Sequence, residues 1–386
     1  MPRGAAVDDG IVRQRLFTLA AACAVAASTT AAAPGAGGSL PNWAAPQIAT
    51  VVAHHLMGAK SARKFRPNAA LTQQALADLT ADLQQQLASP PPSGSGSGST
   101  GTTGTGTTTT GGTTTTPSVS DPGAHMTMAQ LDRSLVYALG LKKAAREFAR
   151  GARAAGIAVP SRFGTEVVAR LLGLRINHPA AQDYLELRPQ DPATRAEAAY
   201  SAAQILGFGY LEDSWQIAQV QSLADAFALP ELGDWQQRIL QVAFSKIGMP
   251  YIWGGTNDGT EVDFGVTARG GYDCSGFVWR VYKLQSYPSE GSLADTIQGR
   301  TTYTMSVEVP RSKRIAFKKL QPADVIFFGT NGSHSRGSQV FHTAIYVGNG
   351  WFIQSSDYGV ALARLSGWSK KKFAWGRRPL HEAELE

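Results

Sequence analysis

From Ser89 to Ser120 the chain is Pro, Gly, Ser and Thr almost throughout, with unbroken Thr runs from Thr107 to Thr110 and from Thr113 to Thr116. A segment with nothing to bury cannot offset its ordering entropy, so residues 89–120 read as a flexible tether between separately packed regions. A tether of this composition has an r.m.s. span of roughly 30 Å, from about 5–6 Å × √n. The total of 386 residues leaves room for a domain of ordinary size beyond it. After the extreme N-terminus no apolar run reaches membrane-spanning length, which excludes an integral membrane protein. The formal charge of +7 suits contact with an anionic polymer and is too diffuse to point to nucleic acid.

The N-terminus reads as an export signal over residues 1–33. Arg13 and Arg15 precede an apolar stretch from Leu16 to Ala27, followed by Ala31, Ala32, Ala33 and Pro34. The expectation is a secreted, cell-wall-associated protein. Only 2 cysteines occur, too few for a disulfide scaffold or a cysteine-rich zinc site. Cleavage near Ala33 removes Cys23 and leaves Cys274 as a lone thiol, either an inert small hydrophobe or a nucleophile. No metal or other cofactor is expected.

Two stretches around the tether carry helical-period apolar residues: 42–88, with Ile48, Val51, Val52 and Leu56, and 125–230, with Val167, Val168, Leu171 and Leu172. They echo each other at a constant offset, Arg66-Pro67 with Arg188-Pro189 and Thr72 with Thr194, the sign of a repeated helix–turn–helix unit. Thr194 and Glu197 have capping-box spacing. The tetrad Thr194-Arg195-Ala196-Glu197 and the opening Asn42-Trp43-Ala44 resemble the S-layer homology module. That resemblance implies a helical region that holds exported proteins on an anionic secondary cell-wall polymer, with Arg195 as the contact; in the first copy Gln73 and Gln74 replace the Arg and Ala.

Beyond Glu231 the pattern becomes mixed α and β. A helix is expected from Asp234 to Lys246. In Tyr272-Asp273-Cys274-Ser275-Gly276-Phe277-Val278, followed by Val281 and Tyr282, the i,i+4 apolar pairs put Cys274 at the start of a helix, where free N–H groups and the helix dipole favour a thiolate. Leu320 to Phe328 reads as a turn feeding a buried strand, and Phe341 to Val347 with Trp351 to Ser355 reads as a hairpin around Gly348-Asn349-Gly350. A two-residue loop would put His342 and Gln354 on opposite faces. A register with Ala344 opposite Gln354 makes them diagonal neighbours.

The motifs Pro250-Tyr251-Ile252-Trp253-Gly254-Gly255, Asp273-Cys274-Ser275-Gly276, Leu320 to Phe328 and His342 to Ser356 resemble, in this order, the NlpC/P60 family of papain-like cysteine peptidases, over residues 231–380. The resemblance implies an α+β papain-like domain acting on peptidoglycan stem peptides, typically at the D-γ-glutamyl–diamino acid bond. It assigns Cys274 as nucleophile, His342 as general base and Gln354 as the third polar residue. Tyr251 lines the cleft by the same resemblance. Asp273 and Ser275 are candidates for binding a substrate amine, with helix capping the equal alternative. Insertions at 255–272 and 329–339 are expected near the cleft rim, with His334 exposed. Two other readings stay open: a catalytically inactive wall-anchored binding protein, and an acyltransferase using the same thioester.

Overall fold

A computed structural model describes residues 43–88 and 119–386; the proposed signal segment and nearly all of the tether lie outside the described residues. The N-terminal part is helical: α1 (Ala45–Ala53), α2 (Gln73–Ala88), α3 (Met128–Ala138), α4 (Lys142–Ala154), α5 (Phe163–Leu171), α6 (Arg195–Leu206) and α7 (Trp215–Asp225).

Three short extended segments tie this region together at its centre. Leu71 N–H donates to Ala193 O, Ala193 N–H to Met126 O, and Met126 N–H to Leu71 O, each at 2.8 Å. A second cycle runs from Gln73 N–H to Ala124 O, Met128 N–H to Asp191 O and Arg195 N–H to Ala69 O. Each segment enters a helix through a threonine whose hydroxyl accepts a first-turn N–H: Thr72 from Ala75, Thr127 from Gln130, Thr194 from Glu197. Two of these three are the echo visible in the sequence. The middle one escapes notice because its turn reads Asp121-Pro122-Gly123 in place of Arg-Pro. The common signal is a proline five residues before the threonine: Pro67, Pro122 and Pro189.

Alanines let α6 sit deep in this region, with Ala196, Ala198, Ala199 and Ala202 at most 1% exposed. A glycine does the same for α5: a Cβ on Gly164 would run into the backbone of Ala145 in α4.

The second half opens with α8 (Asp234–Ser245), close to the expected helix, then β1 (Thr256–Asn257), β2 (Glu261–Asp263), β3 (Val266–Ala268) and β4 (Gly271–Tyr272). Strands β1 and β4 pair, and β2–β3 form a separate hairpin within the first insertion. Next come α9 (Cys274–Trp279), α10 (Leu293–Thr296) and α11 (Thr302–Val307). A five-stranded antiparallel sheet follows, built from β5 (Val325–Gly329), β6 (Val340–Gly348), β7 (Trp351–Ser356), β8 (Gly359–Arg364) and β9 (Phe373–Arg377), with α12 (Gly367–Lys372) before the last strand. The spatial order is β8-β7-β6-β5-β9.

Alternation splits this sheet between two cores. Phe327, Ile345, Val347 and Ile353 join the main core, which continues into the helical region. Ile326, Phe328, Ala344 and Phe352 form a smaller cluster on the other face, covered by Phe317 and Leu320. The continuity is concrete at Trp351, whose ring meets Phe148 of α4 at 5.8 Å and Phe227 at 5.2 Å. Polar contacts reinforce it. Arg170 of α5 donates to Gly248 O at 2.7 Å, and the Asp183 carboxylate accepts the Trp253 N–H at 2.8 Å. Thus the helical region holds both ends of the segment carrying Tyr251.

Candidate active site

Asp273 is extended (φ −76°, ψ 176°) and caps α9, its carboxylate accepting the Gly276 N–H, so that Cys274 is the first helical residue. Gly276 is required there because a Cβ would collide with the Gly255 carbonyl oxygen. Cys274 is half-buried. Its sulfur lies 3.2 Å from Thr302 Oγ1, at the start of α11. The backbone N–H groups of Thr343 and Ser275 also bond it. Thr343 is the neighbour of His342, so the thiol meets β6 beside the imidazole's own strand position.

The hairpin combines the two loop alternatives. Asn349 (φ 48°) and Gly350 (φ 75°) form a two-residue turn of the kind Asn-Gly favours, and Gly348 pairs with Trp351. A bulge between Tyr346 and Gly348 then shifts the register, giving Tyr346 opposite Phe352 and Ile345 opposite Ile353. One further step brings Ala344 level with Gln354, so His342 and Gln354 are diagonal. His342 Nε2 and Gln354 Oε1 are 2.7 Å apart. An amide oxygen only accepts, so Nε2 carries the hydrogen and Nδ1 keeps its lone pair.

The electrostatics correct one expectation. Burial pushes the Cys274 thiol up to about 12, and the Asp273 carboxylate adds to this; the Thr302 hydroxyl and the Thr343 and Ser275 N–H groups pull the other way. The helix start therefore does not ionise the sulfur at rest, because burial and the Asp273 carboxylate raise the thiol more than its hydrogen bonds lower it. Burial also holds His342 down to about 4, against the opposing effects of the Gln354 hydrogen bond and Asp273. At neutral pH the resting pair is thiol and neutral imidazole, a base ready to accept a proton.

Asp273 and Ser275 are held in a hydrogen-bonded scaffold with Arg300. Arg300 donates to both Asp273 oxygens at 3.2 Å, to Ser275 Oγ at 3.0 Å and to the Gly254 carbonyl. Ser275 Oγ itself donates to Asp273 at 3.0 Å. The capping alternative accounts for these contacts. Arg195 is similarly turned inward: its guanidinium donates to Phe65 O at 2.9 Å and Met57 O at 3.1 Å, and stacks over the Phe65 ring. Tyr251 is half-buried and lines a small cavity between the helical region and Tyr358.

Nothing in the sequence marks Thr302 or Arg300 as part of a site. Arg300-Thr301-Thr302 carries no local mark of chemistry, since Thr301 alone explains the run as an N-cap, accepting from Thr304. Two acidic residues of the first insertion serve structure: Asp258 pairs with Lys246 and accepts from Tyr272, while Glu261 accepts from Thr256 N–H. His334 is exposed. Among the described residues no cluster of His, Cys, Asp and Glu could hold a metal ion, and no helix is long and apolar enough to cross a membrane.

Residues 248–378 match the NlpC/P60 family. Peptidoglycan endopeptidase RipA of Mycobacterium tuberculosis is 32% identical over 127 residues, covering 32% of this chain and 23% of that protein. The bifunctional muramidase/DL-endopeptidase CwlT of Bacillus subtilis is 31% identical over 148 residues, 37% of each chain. The murein DD-endopeptidase MepH of Escherichia coli is 33% identical over 129 residues, 32% of this chain and 38% of that one. The chain thus spans well under half the length of these curated relatives. Among solved structures, an NlpC/P60 family protein from Bacillus cereus is 26% identical with a TM-score of 0.29, covering 40% of this chain and 42% of its own. The ordered motifs, the thiol bonded by the residue that follows the imidazole on β6 and the family match converge: residues 248–378 of this chain are an NlpC/P60 domain.

Proposed function

We propose that the protein is an exported cell-wall hydrolase, a cysteine peptidase that cleaves peptidoglycan stem peptides at the D-γ-glutamyl–diamino acid bond. The observation that carries this reading is the 2.7 Å contact between His342 and Gln354, made on the strand whose next residue bonds the Cys274 sulfur. The relatives named as peptidoglycan endopeptidases support the substrate class.

Because the thiol and imidazole rest neutral, the proton must move as the substrate is attacked. His342 Nδ1 takes the Cys274 proton while the sulfur adds to the γ-glutamyl carbonyl carbon. Gln354 holds the Nε2–H, which leaves the Nδ1 lone pair as the base, and its carbonyl dipole stabilises the imidazolium that forms. N–H groups at the start of α9 stabilise the oxyanion. The tetrahedral species collapses as the imidazolium protonates the departing amine, leaving a thioester. Water, deprotonated by His342, then releases the γ-glutamyl carboxylate and returns the thiol.

Digestion of defined muropeptides, followed by mass spectrometry, tests this reading. The expected products are the two halves of the stem peptide, whose masses together exceed that of the substrate by one water. Products carrying a transferred acyl group instead identify the acyltransferase alternative, and intact substrate identifies a binding protein.

A further inference from the structure

The outer face of the sheet carries a concentrated field of positive charge. Residues 309–322 and 364–376 contain no Asp or Glu. Arg311, Lys313, Lys318 and Lys319 are exposed on the strap that covers the smaller core, and Lys370 and Lys371 are exposed on α12. None of the six has an acidic partner among the described residues. With Arg314 and Lys372 they outnumber the chain's entire formal excess of +7, so the rest of the molecule carries no net positive charge.

The two segments are built into one surface. Ile315 and Gly376 exchange backbone hydrogen bonds at 2.9 and 2.8 Å, which pins the strap to β9. The Phe317 ring lies 5.0 Å beneath Lys370 Nζ and edge-on to Phe373 at 5.7 Å. Arg314 stacks 3.6 Å above Trp375 and is held below its ordinary value by burial and by neighbouring Arg311. Like charges gathered on a fixed surface without counter-charge repel one another, and a polyanion relieves that repulsion while releasing its own counterions.

We propose that this face binds a linear phosphodiester polymer of the cell wall, a polyol phosphate, and so holds the peptidase against its substrate. The choice of a wall polymer rests on the function proposed above.

The test uses the full chain and purified poly(glycerol phosphate), with phosphatidylglycerol vesicles and duplex DNA as competing arms at equal ionic strength. Wild type is expected to prefer the polyol phosphate, with log affinity falling against log salt at a slope of about −4, from about 0.7 per phosphate neutralised. The combined variant Lys318→Glu, Lys319→Glu, Lys370→Glu, Lys371→Glu should bind at least tenfold more weakly. The matching Gln variant should lose affinity in the same direction, and serves if the Glu variant does not fold. Cleavage of a soluble muropeptide should be unchanged in both. Absent wild-type binding, full binding by the variants, or tighter binding to vesicles or DNA overturns the proposal. Binding is measured without turnover, so failure of the peptidase reading registers separately in the muropeptide assay.

Discussion

The Thr302 hydroxyl lies 3.2 Å from the Cys274 sulfur, bringing α11 to the start of α9. Thr302 is 8% exposed, so water does not readily replace it. Its hydroxyl helps lower a thiol that burial pushes up, and a hydrogen bond to a charged partner contributes about 1.5–3 kcal/mol. Thr302→Val should slow thiol alkylation and kcat/KM by roughly ten- to a hundredfold, while Thr302→Ser should restore most of both. Equal rates for Val and wild type would contradict this role.

Gln354 acts through His342 alone. Gln354→Ala frees the imidazole to turn and to change tautomer, so kcat should fall by roughly ten- to a hundredfold with KM little changed. Steady-state kinetics on a defined muropeptide separates the two constants; a rise in KM at constant kcat would place Gln354 in substrate binding instead.

The pH profile follows from the neutral resting pair. His342 is held down to about 4, so the acid limb of kcat/KM should fall near pH 4, well below the ordinary histidine value of about 6.5. Its folded value lies below its unfolded one, so the unfolded chain binds more protons in that window and His342's contribution to stability declines as pH drops through it. The thiol at about 12 predicts alkylation that climbs with pH through neutrality without a plateau. An acid limb near pH 6.5, or a plateau of alkylation below pH 8, contradicts the assignment.

Gly248 joins the two halves. Its φ is +87°, and a Cβ there would collide with the buried Glu166 carboxylate. Gly248→Ala should therefore destabilise the protein by about 1–3 kcal/mol, read as a lower midpoint in denaturant unfolding. An unchanged midpoint would show that α5 yields to the side chain.

Much of this molecule is legible in its residues. The α9 helix start at Cys274 and the hairpin follow from apolar spacing and turn chemistry, because those signals are local. The bulge at Val347 is not local: it reconciles an Asn-Gly turn with a register that brings His342 to Gln354, and nothing in the strand announces it. Arg300 and Thr302 are equally silent, since their meaning comes from Asp273, Ser275 and Cys274 about 25 residues earlier in the chain. The central ring of the helical region needed Pro122 and Thr127 to be aligned with Pro67, Thr72, Pro189 and Thr194. The thiol departs from the expectation of a thiolate for a physical reason: burial and the capping carboxylate raise it more than the hydrogen bonds from Thr302, Thr343 and Ser275 lower it.

The central claim is that one sulfur performs the bond cleavage. Cys274→Ala and wild type should be compared on a muropeptide carrying the γ-glutamyl–diamino acid bond, with products followed by mass spectrometry. The expected result is complete loss of the two stem-peptide fragments in the variant with retained binding of the intact muropeptide. Continued release of those fragments by Cys274→Ala would contradict the account.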